Sequence, residues 1–146
     1  MPADSPNDPS TATAFLDALR PMMDRLRAER TLSQGKVGIL RHLKERGPAT
    51  ISELAVAIQV SNQGASLGVR DLEAIGAVAR KTDATDRRRV WITITETGEA
   101  TLEKETLAAR RLLHDAAERS LSEEDKAVLF AAIPVIEKLG KSLLDD

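Results

Sequence analysis

Three arginines stand in a row at Arg87, Arg88 and Arg89, after Thr85-Asp86 and before an alternating apolar run. Neighbouring guanidiniums repel one another on a bare surface, so the run calls for counter-charge from outside the chain. Phosphate suits it: it matches the arginine fork, and one guanidinium can also enter a narrow minor groove, where the negative potential is strongest. A carboxylate at Asp86 would be repelled by DNA. Its expected part is to pair with an arginine and set the shape of the turn. A second set lies in SNQGASLGVRDL, residues 61–72. At helical spacing Ala65, Val69 and Leu72 share an inward side, with Gly68 beside them. Asn62, Gln63, Gly64, Ser66, Leu67 and Arg70 fall outward. That face could lie in a major groove, with Gln63 on adenine, Ser66 on a base edge or phosphate, Leu67 against a thymine methyl and Arg70 on a phosphate or guanine.

Other chemistries find little support. There is no cysteine, which excludes disulfides, thiolate metal sites and thiol redox sensing. The two histidines, His42 and His114, read as surface or interface residues, and no convergent carboxylate cluster joins them into a metal site. Glu103 and Glu105, like Glu123, Glu124 and Asp125, read as charge runs of solvated helices rather than a catalytic pair. No glycine-rich phosphate loop follows a strand, and no Ser/His/Asp set is indicated. No apolar run approaches the roughly 18 residues of a membrane span. The net charge is −2 but uneven: residues 33–95 hold ten Lys and Arg against six Asp and Glu, and the remainder holds eleven against seventeen. A basic middle between acidic arms keeps nucleic acid in view.

These groups need elements to position them. Residues 1–10, polar and Pro-rich, are expected to be a disordered tail. Phe15, Leu16, Leu19, Met22, Met23 and Leu26 recur on one helical face, with Pro21 either kinking one helix or starting a second. A helix from Ser33 carries Val37, Ile39, Leu40 and Leu43 and ends at Gly47-Pro48. Thr50-Ile-Ser-Glu53 is a capping box opening a short helix. Ser61 caps the next, which stops at Gly76. The period then changes: Val78–Lys81 reads as a strand, and Val90, Ile92 and Ile94 alternate with Trp91, Thr93 and Thr95 in a half-buried second strand. Trp91 reads as wing packing. Thr95 and Ser122 cap two long helices, the last with Leu129, Ile133, Ile136, Leu139 and Leu143 on its apolar face and Pro134 to bend it. The expected fold is mainly α with a small β-hairpin wing: a winged helix-turn-helix lobe over 32–96, flanked by helical dimerisation regions at 11–31 and 97–146. Neither the Phe15–Leu26 face nor the Leu129–Leu143 face has an obvious partner in so small a lobe, which calls for a second chain.

The segments LSQGKVGILRHLKERGPATISELAVAIQVS and RDLEAIGAVARKTDATDRRRVWITITETG resemble the MarR family of bacterial transcriptional regulators. The most specific run is an Asp-x-Arg wing, here Asp86-Arg87-Arg88, followed by Val90, Ile92 and Ile94-Thr95-Glu96-Thr97-Gly98. The likeness covers about residues 32–98; the arms match in pattern and length only. It implies a homodimer whose first and last helices interlock, with two winged lobes facing the halves of a palindrome. By family position Arg88 is the minor-groove residue. Leu67 departs from the polar or basic residue expected of relatives, so we expect an A·T-biased, shape-dependent specificity. Relatives often bind small aromatic or phenolic acids between lobe and arms. A matching candidate pocket here is Met22, Met23, Leu26, Ile39, Leu43 and Leu112, whose simpler reading is core. Sensing by cysteine oxidation, used by some relatives, is excluded.

The expected protein is a cytoplasmic, dimeric regulator of double-stranded DNA and a repressor on a palindromic operator, with a small aromatic effector as a candidate partner. No enzymatic activity, cofactor or metal is expected. The competing reading is a winged-helix dimer that works through a protein partner, with weak or no DNA binding.

Overall fold

The computed structural model describes residues 8–144. Along them run α1 (Pro9–Ala28), α2 (Gln34–Arg46), α3 (Ile51–Ala57), α4 (Asn62–Ala74), β1 (Val78–Thr82), β2 (Val90–Ile94), α5 (Glu96–Ser120) and α6 (Glu123–Leu144). The chain divides into two compact units, up to Ala109 and from Arg110 onward.

In the first unit, side-chain caps fix where each helix begins. The Ser33 hydroxyl accepts the Lys36 N–H, and the Ser61 hydroxyl accepts the Gly64 N–H at 3.0 Å. At α3 the capping box is complete: Thr50 Oγ1 accepts the Glu53 N–H at 3.3 Å, and Glu53 Oε2 accepts the Thr50 N–H at 2.7 Å. Each such cap is worth about 1 kcal/mol. Between the caps, apolar side chains converge on one core. Leu40, Leu54, Val69, Leu72 and Ile92 are fully buried, and Val37, Ile39 and Leu43 nearly so. Each buried Leu, Ile or Val contributes roughly 1.5–3 kcal/mol. This core contains no aromatic residue.

The hairpin is antiparallel, in the register Val78↔Ile94, Arg80↔Ile92 and Thr82↔Val90. Ile92 alone of β2 is fully buried, and Val90 and Ile94 beside it are half-buried. Ala49, in the loop after α2, forms an isolated bridge with Ile92 through two backbone hydrogen bonds of 3.1 and 2.8 Å. The wing is thereby joined to the helical part through backbone as well as side chains. At the other end of β2, Thr95 caps α5 by accepting the Gly98 N–H, and its own hydroxyl donates to the Gly76 carbonyl. Gly98 lies against the backbone here: a Cβ at that position would sit 2.0 Å from the Ala77 carbonyl oxygen. The glycine that closes the wing motif is a contact requirement. Further along α5, Glu105 is the only buried charged residue among those described. Its carboxylate accepts the Thr31 N–H at 3.2 and 3.1 Å and the Thr31 hydroxyl, tying α5 to the loop before α2. Its sequence context reads as a solvated charge run. That loop, 74 residues away in sequence, gives it a shell of donors instead.

The expected tail over 1–10 is too long. Asp8 caps α1, its side chain accepting the Ser10 N–H at 2.9 Å, and Pro9 takes the first helical position, where a missing N–H costs nothing. Pro9 and Ser10 are therefore helical; residues 1–7 lie outside the described residues. Pro21 falls inside α1, which is one helix, and Pro134 falls inside α6. In the second unit, Ser122 and Asp125 cap α6 reciprocally at 3.1 Å, and the Lys126 ammonium bridges Glu118 at 2.8 Å and Glu123 at 2.9 Å.

Candidate nucleic-acid interface

On α4 the two sides separate as their spacing predicts. Ala65, Val69 and Leu72 are fully buried, while Asn62, Gln63, Gly64, Leu67 and Arg70 are exposed and Ser66 is half-buried. The glycines differ in their surroundings. A Cβ on Gly68 would meet Ile39 Cδ1 at 2.9 Å, so the bare backbone lets α2 pack closely against α4. A Cβ on Gly64 would come within 3.3 Å of the Ser61 hydroxyl, crowding the cap that starts the helix. Between α2, the turn after α3 and α4 a groove of about 230 Å³ is lined by residues including Lys36, Val60, Gly64 and Leu67. At its edge the Lys36 ammonium bonds Asp71 Oδ2 at 2.8 Å. That bond holds the Asp71 carboxyl below the usual carboxylate range.

In the wing the three arginines part company. The Arg89 guanidinium lies 4.5 Å from the centre of the Trp91 ring and 3.6 Å from Glu53 Oε1, on α3. It is engaged within the protein. The guanidiniums of Arg87 and Arg88 are exposed and make no hydrogen bond or ion pair among the described residues. Asp86 does not pair with an arginine side chain as expected. Its Oδ1 accepts the Arg88 backbone N–H at 3.0 Å, and its carbonyl accepts the Arg89 N–H at 2.9 Å. In so tight a turn a backbone amide two residues on is nearer than any guanidinium.

The residue that organises this turn is Asp83, which sequence reasoning missed. Its Oδ1 accepts the Thr85 N–H and hydroxyl, each at 2.8 Å, and the Asp86 N–H at 3.0 Å. Its Oδ2 accepts the Trp91 indole N–H at 2.8 Å. The Trp91 bond first, then the Asp86 and Thr85 donors, hold its carboxyl far below the ordinary range. The signal was present in Asp83-x-Thr85-Asp86, a turn pattern in which an aspartate accepts from the residues that follow. Glu53 is likewise held below its usual value, chiefly by the Thr50 N–H and hydroxyl, with Arg89 adding less.

An outward face on the capped helix α4 is followed by a wing with two free arginines. The sequence model of the MarR family matches residues 32–90. The transcriptional regulator YwhA of Bacillus subtilis is 31% identical over 70% of this chain and 71% of its own length. This chain belongs to the MarR family. The transcriptional regulator BilQ of Clostridium symbiosum is 30% identical, covering 76% of this chain and 74% of that protein. A solved structure described as a transcriptional regulator of Pseudomonas aeruginosa has the same fold, with a TM-score of 0.79, 23% identity and coverage of 94% and 97%. As a MarR family member the protein is a DNA-binding transcriptional regulator.

Of the six residues of the MarR candidate pocket, five lie in the first unit and Leu112 in the second. Ile39 and Leu43 are 1% and 2% exposed in the lobe core, where their apolar surface is already covered. Ile39 also borders the groove beside α4. Met22 and Met23 are exposed on α1 with Leu26 half-buried, and Leu112 is half-buried in the second unit. The residues named for dimerisation are open. Phe15 and Leu16 on α1 are exposed and Leu19 is half-buried; on α6, Leu129, Ile133, Ile136, Leu139 and Leu143 are all exposed. No helix among the described residues is long and apolar enough to cross a membrane.

Proposed function

We propose that the protein is a cytoplasmic, homodimeric repressor that reads a palindromic operator with α4 and the wing. In this reading α4 enters the major groove, where Gln63 and Asn62 reach base edges, Ser66 and Arg70 take base or phosphate, and Leu67 meets thymine methyls. Arg87 and Arg88 face phosphate or the minor groove. Arg89, also named as a DNA contact, is reassigned to hold the wing against α3, because Glu53 and Trp91 already occupy it. Asp86 supports the turn by accepting the Arg88 N–H.

The observation that carries this reading is the pair of unpaired guanidiniums on a turn held by hydrogen bonds within itself. The dimer is supported by the open apolar faces of α1 and α6. Neither helix contains a buried residue, although both present phenylalanine and leucine to solvent in the single chain. A gel shift with fragments of the source genome, run at low and high salt, tests the proposal. A discrete complex that weakens steeply with salt is expected. No complex at low salt would favour a winged-helix dimer acting through a protein partner.

A further inference from the structure

We infer that Asp83 is a positioning residue for DNA binding, acting through Arg87 and Arg88. The inference rests on the proposal that those two arginines meet the DNA.

A carboxylate beside a phosphate-binding tip is an electrostatic liability, since it repels the ligand that the tip attracts. In this wing Asp83 is also the most heavily bonded side chain. Oδ1 gathers three donors from Thr85 and Asp86, which bends the first half of the turn. Oδ2 reaches across to the Trp91 indole, eight residues on in β2. The backbone closes the same loop: the Asp83 N–H donates to the Arg89 carbonyl and the Arg89 N–H to the Asp86 carbonyl, both at 2.9 Å. Trp91 is in turn covered by the Arg89 guanidinium. The Arg88 N–H is held by Asp86 Oδ1 at 3.0 Å, and the guanidiniums of Arg87 and Arg88 lie between these ties and belong to none. A loop already closed loses less freedom when it docks than an open one does. Asp83 thus offsets its own repulsion by presenting two guanidiniums in one geometry.

The two possible parts for Asp83 predict opposite signs. If it is only a solvated charge, removing it tightens DNA binding, because one repulsive charge is gone. If it positions the turn, removing it weakens binding. Asp83→Asn is a sharp probe. The amide oxygen can keep the Thr85 and Asp86 bonds, while the amide N–H₂ meets the indole N–H donor against donor. The measurement is an anisotropy titration of the full-length protein with an alternating A·T duplex over a range of salt. Asp83→Asn is expected to weaken binding roughly tenfold and to lower the slope of log affinity against log salt, by about 0.9 for each phosphate that the displaced arginines cease to neutralise. Trp91→Phe, which changes no charge, should weaken binding in the same direction. Trp91 is also the only tryptophan, so its emission and its quenching by acrylamide report the Asp83–indole bond in the free protein. Asp83→Asn should change both and lower the thermal midpoint only modestly, leaving the protein folded at the temperature of the titration.

Equal or tighter binding by Asp83→Asn, or binding by Trp91→Phe that matches the parent, would overturn the inference. So would an indole emission that Asp83→Asn leaves unchanged. Arg87→Ala and Arg88→Ala keep the two questions apart. If neither weakens binding, the wing's part in the DNA interface itself fails. If both do and Asp83→Asn does not, only the positioning part fails.

Discussion

Side chains of one type divide here by what surrounds them. Arg87, Arg88 and Arg89 are equivalent as letters, yet one is stacked on Trp91 and two are free. This gives Arg88→Ala a definite expectation: weaker binding to every duplex, with the salt slope reduced by about 1. Unchanged affinity at two salt concentrations would remove Arg88 from the interface. Arg89→Ala should behave differently. It is expected to disturb Trp91 emission and lower stability while changing the salt slope less than Arg88→Ala does. On α4, Gln63→Ala should cost about 1–3 kcal/mol at one base position of each half-site and little elsewhere. Binding measured over a set of single-base operator variants checks it, and a uniform loss would contradict base reading by Gln63. The inward and outward sides of α4 were legible in sequence because helical spacing alone separates them. The division among the arginines was not, because Glu53 lies far from Arg89 along the chain and approaches it only once β2 is laid beside α3.

Helices and strands are set by caps, glycines and close approaches, and these can be ranked. Gly98→Ala is expected to destabilise the lobe by more than about 2 kcal/mol, since the new Cβ would meet backbone at Ala77 that cannot swing aside. Gly68→Ala meets only the flexible end of Ile39, so the steric cost should largely cancel a helix-propensity gain of about 1 kcal/mol. Chemical denaturation of the two variants checks the order; a Gly98→Ala protein as stable as the parent would contradict the packing described. Gly64→Ala separates stability from reading. A propensity gain set against crowding of the Ser61 cap should leave stability near the parent or slightly higher. A large loss of operator affinity would then show that backbone must approach DNA at that point. The caps at Thr50, Ser61, Thr95 and Ser122 could all be read in advance, because a cap joins residues three apart. Gly98 was legible as a motif position, but its reason lies in the carbonyl of Ala77, on the far side of the hairpin.

Beyond the lobe, the unburied faces of α1 and α6 set the expected assembly. Ile133→Asp places a charge in the middle of the α6 stripe, and sedimentation should then show a monomer, with operator binding reduced because two half-sites are no longer engaged by one particle. A stable dimer with this substitution would move the interface elsewhere. The acid response is also foreseeable in sign. Glu53, Asp71, Asp83 and Glu118 are all held below their ordinary values, so the unfolded chain takes up their protons first on acidification. Their contribution is complete above the unfolded carboxylate range near about 4 and is lost as the pH falls through it. Lys126, held above its ordinary value by Glu118 and Glu123, contributes below the usual lysine range near about 10 and loses this as the pH rises past it. The thermal midpoint should therefore be nearly flat from about pH 7 to about 5 and decline below about 4. These groups are open to solvent, so the decline should be gradual.

Sequence alone was enough for the order of helices and strands, the caps from Thr50 onward, the two sides of α4 and the wing motif with its family. All of these rest on short spacings within one turn of helix or on a contiguous run, which the chain carries before it folds. Folding decided which arginines remain free, that Asp83 rather than an Asp86–arginine pair shapes the wing, and that Glu105 is buried against Thr31. It also placed Ile39 and Leu43 in the lobe core. Each of these depends on a partner brought from a distant or facing segment, and apolar periodicity says only that a side chain will be covered, not by what.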